Sequence, residues 1–480
     1  MNTYPIAKKI GLCLGPLLCL VLLVLPVQIV SPVADKVISV ALWMLIWWIT
    51  EAVSITVTAL LPLVLFPILG ILDIKTVSQN YGHPIVFLFF GGFVLALALE
   101  KVNLHKRISI SIIKITGTSA NRIILGFMIA TAFMSMWISN TACTVMMLPI
   151  ALSVIQLLIT DKDDFTKQDR NFALCLLLGI AFSANIGGVA TVIGTPPNSV
   201  LIAFLEDAYD IEISFVRWMV MATPFTIMML VITYFILVKW IYPNTIKQFD
   251  NASVIIETEL NKLGKMTGQE KQVLLIFIAV VGLWIFRTTI NRILPGLGLS
   301  DTVISMMGAI AFFVIPFKLS KGEFTLTWSD AEKIPWGILL LFGGGLALAG
   351  GLTSAGIIKL VANTIASYQN LSILVVASLL ILFMLFMTEL MSNVALVTIF
   401  VPVVAGIAMG LDFSKLQLLI PVTMAASCAF MLPMATPPNA IVFASGHIKI
   451  SQMVRAGFFL NCISVLLLVL FFEFYIPLIF

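Results

Sequence analysis

Hydroxyl and amide residues sit inside long apolar runs of this chain, and they do so twice in the same pattern. Ser135-Met136-Trp137-Ile138-Ser139-Asn140-Thr141 and Thr388-Glu389-Leu390-Met391-Ser392-Asn393-Val394 each place a hydroxyl residue four positions before a Ser-Asn pair. On a helix that spacing puts Ser135 with Ser139, and Thr388 with Ser392, on one face pointing to the end of the segment. Hydroxyls, amide oxygens and carbonyls left open at a helix end are hard oxygen ligands of the kind an alkali cation takes. The same residue types also cap half-helices, which is all that one copy would imply. Two copies at one offset argue for a site.

A second duplicated motif breaks the chain nearby. Thr195-Pro196-Pro197-Asn198 and Thr436-Pro437-Pro438-Asn439 lie in otherwise apolar helices. Proline lacks the helix donor and its ring clashes with the preceding turn, so both helices are expected to break in mid-membrane. A break exposes carbonyls from one half-helix and N–H groups from the other. Gly194 and Ala435 are placed to offer carbonyls to a cation, while Thr195-Pro196 and Thr436-Pro437 face an anion. Lysine and arginine fall almost wholly in loops or at span ends. An anion would then depend on helix N-termini, the Asn140 and Asn393 amides, hydroxyls and co-bound cations. Without those cations it would be desolvated against too little opposing charge, and that shortage couples the two species.

Other polar residues read as structural. Glu389 has no counterpart in the first copy, where position 136 is Met, and Glu51 ends a span beside Thr50. Both are expected to be anchors rather than proton sites. His83, His105 and His447 are not grouped as metal ligands. The six cysteines (Cys13, Cys19, Cys143, Cys175, Cys428, Cys462) show no CxxC spacing and read as core packing. No HExxH motif, aspartate pair or Ser/His dyad supports an intramembrane enzyme, and neither a catalytic residue nor a cofactor is expected.

The elements that must position these residues follow from composition. Of 480 residues 60% are hydrophobic and 10% charged, against about 45–50% and about 25% in soluble domains. A soluble fold is excluded, and a net charge of +4 is no nucleic-acid footprint. The partner is the lipid bilayer. Apolar runs fall at 10–31, 36–50, 53–72, 83–100, 123–159, 172–205, 214–240, 272–290, 300–317, 335–356, 372–408, 416–445 and 456–480. The 123–159 and 372–408 runs hold the Ser-Asn motifs near their middles and read as re-entrant hairpins, whose irregular tips are tolerated only where they line a cavity. The remaining runs make 11 crossings, an all-α polytopic membrane protein. Lys8 and Lys9 before a run reaching Val30, with no cleavage site, indicate a retained first span. Counting loops alternately puts 20 of the 27 Lys and Arg on the N-terminal side. That side is therefore the cytoplasm, and the C-terminus ends outside.

An internal repeat orders the chain. Phe90-Gly91-Gly92 recurs as Phe342-Gly343-Gly344, a shift of 252; Ser139-Asn140 recurs at 253 and Thr-Pro-Pro-Asn at 241. With five crossings per half, the second copy must lie inverted, the pattern of secondary transporters. The expected units are 1–122 (first span and scaffold helices), 123–240 (hairpin and broken helix, mobile), 241–271 (cytoplasmic linker), 272–371 (second scaffold) and 372–480 (second hairpin, broken helix and last span).

These motifs resemble the divalent anion:sodium symporter family, which includes bacterial succinate transporters and mammalian dicarboxylate, citrate and sulfate carriers. The run Ala426-Ser-Cys-Ala-Phe430-Met-Leu-Pro433-Met-Ala435-Thr-Pro-Pro-Asn439-Ala-Ile-Val442 is similar to its signature. Trp48-Ile-Thr50-Glu51-Ala and Val57-Thr-Ala-Leu-Leu-Pro62 are also similar, so the likeness spans nearly the whole chain. It implies one sodium on Ser135, Ser139, Asn140 and the Gly194 carbonyl, and a second on Thr388, Asn393 and the Met391 and Ala435 carbonyls. Substrate carboxylates would meet Asn140, Thr141, Asn393, Thr436 and Pro437. The family's succinate carriers have Ser-Asn-Thr in both hairpins, whereas Val394 stands in the second here, which bears on the dicarboxylate preferred. A homodimer of elevator type in a bacterial inner membrane is implied. The function expected is sodium-coupled import of C4-dicarboxylates, with sulfate symport or sodium-independent exchange as alternatives.

Overall fold

The computed structural model describes residues 5–24, 30–117, 119–160, 166–244, 246, 252–367 and 372–480. Residues 25–29 of the first expected span, and parts of the 160–171 loop and the 241–271 linker, lie outside the described residues. The described chain is almost wholly α-helical, its one sheet a two-stranded ribbon pairing Pro316–Lys318 with Glu323–Phe324.

Among the described residues nine helices are long and apolar enough to cross a membrane. Eight belong to the expected crossings; the ninth, Asn393–Gly410, is the second arm of a hairpin. The other three expected crossings are shorter helices, for identifiable reasons. The 53–72 run is interrupted at Ala59-Leu60 and carries Pro62 and Pro67, giving Ile55–Thr58 and Leu61–Leu69. The 416–445 run is broken into Lys415–Ala425 and Pro437–Ala444. The 300–317 run is helical only over Asp301–Val314; at 1.5 Å per residue that is about 21 Å, against about 30 Å of hydrocarbon.

The hairpins form as expected, from Ala120–Ser135 with Asn140–Thr160 and from Ile373–Met387 with Asn393–Gly410. The broken helices follow, Lys167–Val189 with Pro196–Tyr209 and Lys415–Ala425 with Pro437–Ala444. Each pair of prolines occupies the first helical positions of the second piece, where a missing N–H costs nothing. Each half then closes with a long helix, Phe215–Phe235 or Ile450–Leu470, ending in a π-helical turn, Ile236–Ile241 or Phe471–Tyr475. Element order therefore repeats from hairpin to last helix.

The core lies in the broken elements. Lys167–Val189 is buried over its whole apolar stretch, while Ile6–Val24 and Gly268–Ile293 are each buried over only 17% of theirs and present apolar side chains outward. Charged groups are spent on ties at helix ends. Lys101 Nζ lies 2.6 Å from Asp330 Oδ2, Arg107 Nε lies 2.7 Å from Glu270 Oε1, and Arg287 reaches Glu212 at 2.8 Å and Asp301 at 3.3 Å. All six cysteines are free; Cys19, Cys143, Cys175 and Cys428 are buried packing residues. Cys13 and Cys462 are exposed, which corrects their reading as core residues: their helices turn that face outward.

Candidate functional site

Four helices end and four begin around one cavity of about 210 Å3. The ends are those of Ala120–Ser135, Lys167–Val189, Ile373–Met387 and Lys415–Ala425, and the starts are at Asn140, Pro196, Asn393 and Pro437. C-termini present open carbonyls, the hairpin starts at Asn140 and Asn393 present N–H groups, and the proline-headed starts, without N–H at their first two positions, add the positive end of a helix dipole, so cation ligands and anion attraction arise from the same breaks. The cavity is lined by Ser139, Asn140 and Thr141 from one hairpin tip and Ser392, Asn393 and Val394 from the other. Gly194, Thr195 and Pro196 line it from the first break, and Thr436 and Pro437 from the second. The facing wall is apolar, made by Ile55, Phe89, Phe93, Ile338 and Leu341. No Lys, Arg, His, Asp or Glu lines it among the described residues. At this size it is below the ~300–1,000 Å3 of sites for drug-sized molecules and suits a small ion.

The first-half oxygens converge. Ser135 Oγ lies 2.6 Å from Asn140 Oδ1 and 2.7 Å from the Ala184 carbonyl, with one proton to share between these two acceptors. Asn140 Oδ1 and the Gly194 carbonyl both crowd Gly188: a Cβ there would fall 2.7 Å from the former and 3.0 Å from the latter. Only glycine leaves that space open. The second half repeats part of this, Thr388 Oγ1 donating to the Ala426 carbonyl at 2.6 Å. Met391 and Ala435 are buried beside the second tip and break.

The shared-face reading of the hydroxyls does not hold. Ser135 is the last residue of its helix and Thr388 follows the last residue of its own, so Ser139 and Ser392 lie beyond the helices. Ser139 Oγ instead accepts from Ala142 N at 3.2 Å, capping the next helix while facing the cavity.

Two devices hold the breaks open. In the first, Thr191 Oγ1 donates to the Met136 carbonyl at 2.6 Å and accepts from Gly194 N at 3.0 Å. In the second, the Glu389 carboxylate accepts from Phe430 N and Met431 N at 2.8 Å, from Leu432 N at 3.0 Å and from Asn461 Nδ2 at 2.8 Å. Glu389 is thus an anchor for backbone that the unwound segment leaves unpaired. Glu51 is a left-handed helix cap, exposed, with Lys8 Nζ at 3.4 Å. Asn198 and Asn439, the ends of the two proline motifs, turn their amides back on the break carbonyls: Asn198 Nδ2 to Thr191 O at 2.8 Å, and Asn439 Nδ2 to Leu432 O at 3.1 Å.

Sequence reasoning missed Asn185, which lines the cavity and whose Nδ2 donates to Thr436 Oγ1 at 3.0 Å. A carboxamide within the apolar stretch 172–189 of the helix Lys167–Val189 was the available signal. The histidines serve elsewhere: His83 pairs with Asp207 at 3.0 Å and the His105 ring bonds the Leu99 carbonyl. No group of three or more His, Cys, Asp or Glu could hold a metal ion among the described residues.

With this geometry, comparison with known proteins is decisive. The family described as the sodium:sulfate symporter transmembrane region matches residues 8–480. The chain belongs to this symporter family. It is a multi-pass membrane transporter, not an enzyme. The sodium-dependent dicarboxylate transporter SdcS of Staphylococcus saprophyticus is 40% identical over 99% of this chain and 93% of its own length. The protein of the same name from Staphylococcus aureus is 39% identical over 98% and 92%. Among solved structures, the Alcanivorax borkumensis YdaH transporter aligns with TM-score 0.55 at 12% identity over 84% of this chain and 88% of its own. Neisseria gonorrhoeae MtrF aligns with TM-score 0.56 at 11% identity over 99% and 96%. Those two likenesses are of fold alone.

Proposed function

We propose that this transporter is a sodium-coupled symporter importing C4-dicarboxylates such as succinate, fumarate or malate across a bacterial inner membrane. The observation that carries the reading is a cavity onto which four helix N-termini open and which, among the described residues, no basic side chain lines. Such a site attracts an anion weakly by itself, because the roughly half positive charge at each N-terminus is offset by the roughly half negative charge at the helix C-terminus that ends at the same tip or break. Sodium supplies the rest. In this reading one ion is held by Ser135, Ser139, Asn140 and the Gly194 carbonyl, and a second by Thr388, Asn393 and the Met391 and Ala435 carbonyls. The carboxylates then meet Asn140, Thr141, Asn393, Val394, Thr195, Pro196, Thr436 and Pro437. Two sodium ions neutralise a dianion, so cations and substrate bind together or poorly. The relatives' names support both sodium dependence and the dicarboxylate class.

Movement follows from the unlike walls. The wall of Ile55, Phe89, Phe93, Ile338 and Leu341 offers no hydrogen bond to ions or substrate. The hairpins and broken helices can therefore carry their cargo past it as a unit. We assign segments 123–240 and 372–480 to that mobile unit and 1–122 and 272–371 to a fixed scaffold, with 241–271 as linker, in an elevator motion. The repeated element order supports two halves inserted in opposite senses. The N-terminus is assigned to the cytoplasm, the C-terminus to the outside and the functional unit to a homodimer.

Asn140→Ala and Asn393→Ala test the assignment. Each removes an amide oxygen from a site with no acidic ligand to compensate, so concentrative uptake is expected to vanish with weakened sodium dependence. Wild-type sodium activation in both variants would reject it. Competition by sulfate, the anion in the family's description, separates the sulfate reading from the dicarboxylate one.

A further inference from the structure

We infer that Asn185 is a positioning residue for a substrate carboxylate, acting through Thr436; this rests on reading the cavity as the dicarboxylate site. A threonine hydroxyl has one proton and two lone pairs. Asn185 Nδ2 at 3.0 Å and Asn439 N at 3.4 Å both approach Thr436 Oγ1 as donors. With its lone pairs engaged, the hydroxyl has only its proton to offer the cavity it lines, so it is set as a donor to an anion. Asn185 is itself held, its Nδ2 also lying 3.3 Å from the Ala429 carbonyl and 3.5 Å from Asn439 Oδ1. It joins the unbroken part of the first broken helix to the break in the second.

The mirror link is missing. Ser135 bonds the Ala184 carbonyl as Thr388 bonds the Ala426 carbonyl, which sets Asn185 opposite Ser427, one residue from the Ala426 that the 241-residue shift of the proline motifs gives; neither is a carboxamide. The Ser427 hydroxyl is buried without a hydrogen-bond partner among the described residues, and so is Asn198 Oδ1, the counterpart of the Asn439 atom near Asn185. Serine is too short to reach across. Thr195 accordingly heads its half-helix with no side-chain capping bond, whereas Thr436 accepts one from Asn439 N. The two breaks are unequal anchors: the second presents a fixed donor and the first a free one. One carboxylate of a dicarboxylate is therefore gripped at Thr436 in a set orientation, while the other end has latitude at Thr195.

The test is succinate uptake by the full-length protein in proteoliposomes. Asn185→Ala and Asn185→Ser are each expected to raise the succinate KM about tenfold, the loss of one aligned bond to a charged group. With succinate held at the same multiple of each variant's KM, so that its coupling to sodium cancels, the sodium concentration for half-activation should stay at the wild-type value, a split that general loosening of the fold would not produce. Thr436→Val is expected to raise KM to the same degree, and adding Asn185→Ala to it should raise KM no further. If Thr436→Val shifts KM while neither Asn185 variant does, the positioning role is overturned and the cavity reading stands. If Thr436→Val is also silent, the cavity reading itself falls. Loss of all uptake in both Asn185 variants, with Thr436→Val active, would overturn the positioning role in favour of a residue that only holds the breaks together.

Discussion

Gly188→Ala is the sharpest probe of the first cation site, because it adds one methyl to the space that the proposed ligands enclose. The added Cβ would stand 2.7 Å from Asn140 Oδ1 and 3.0 Å from the Gly194 carbonyl. Carbon–oxygen contacts settle at about 3.3–3.6 Å, so the Asn140 carboxamide must retreat about 0.6–0.9 Å. A coordination sphere tolerates about 0.2 Å in ligand distance. The displacement is several times that, and it falls on an oxygen that Ser135 also holds at 2.6 Å. At least a tenfold rise in the sodium concentration for half-activation is expected, about 1.4 kcal/mol, with the succinate KM rising alongside through coupling. The assay is initial uptake against sodium concentration at fixed succinate. Gly282→Ala is the control, since a Cβ at that helical position meets nothing within 4 Å. A folded Gly188→Ala protein with wild-type sodium activation would refute the reasoning that Asn140 and Gly194 share a cation.

Val394→Thr restores a hydroxyl at a cavity-lining position with little change of volume. A good bond to a charged group is worth about 1.5–3 kcal/mol, so the competition profile among succinate, larger carboxylates and sulfate is expected to shift; an unchanged profile would mean that position 394 does not face the anion. Glu389→Gln leaves one of the acceptors for Phe430 N, Met431 N, Leu432 N and Asn461 Nδ2 as a donor. A marked fall in thermal stability is expected, and a stable protein that loses only proton dependence would make Glu389 a proton site instead. Asp330 outside the spans has its pKa lowered to about 2: burial raises it, but the Lys101 ammonium and the Thr327 N–H outweigh that. Its folded value lies below the unfolded one, so its contribution is full above about pH 4 and is lost as pH falls toward about 2. Asp330→Ala is expected to lower the melting temperature at neutral pH and to flatten the acid limb of the stability profile. A parallel shift of the whole profile would show that the Lys101 tie is not the cause.

Much of this site was legible because its residues are out of place in lipid. Ser135, Asn140, Thr388 and Asn393 in apolar runs, and paired prolines at 196–197 and 437–438, are costly there unless they do something, and duplication located them twice. What could not be read depends on where helices stop and on contacts far apart in the chain. The four-residue spacing of Ser135 and Ser139 suggested one face, but the helix ends at Ser135 and turns Ser139 into a cap. Glu389 could be set apart as unpaired in the repeat, yet its anchoring of three N–H groups some 41 to 43 residues away is a tertiary fact. Asn185 reaches Thr436 across 251 residues, and Gly188 matters only because Asn140 and Gly194 close on it. Helix length was hidden for the same reason, since interruptions at Ala59-Leu60 and in the 416–445 run shorten helices that hydropathy alone joins.

The central claim, that sodium supplies the positive charge the cavity lacks, is tested most directly by labelled succinate uptake into proteoliposomes holding the purified protein, with and without an inward sodium gradient. Accumulation above the external concentration under the gradient, and only equilibration without it, is the outcome expected. Equal accumulation in sodium-free medium driven by a proton gradient, or uptake that needs internal dicarboxylate but no sodium, would contradict it.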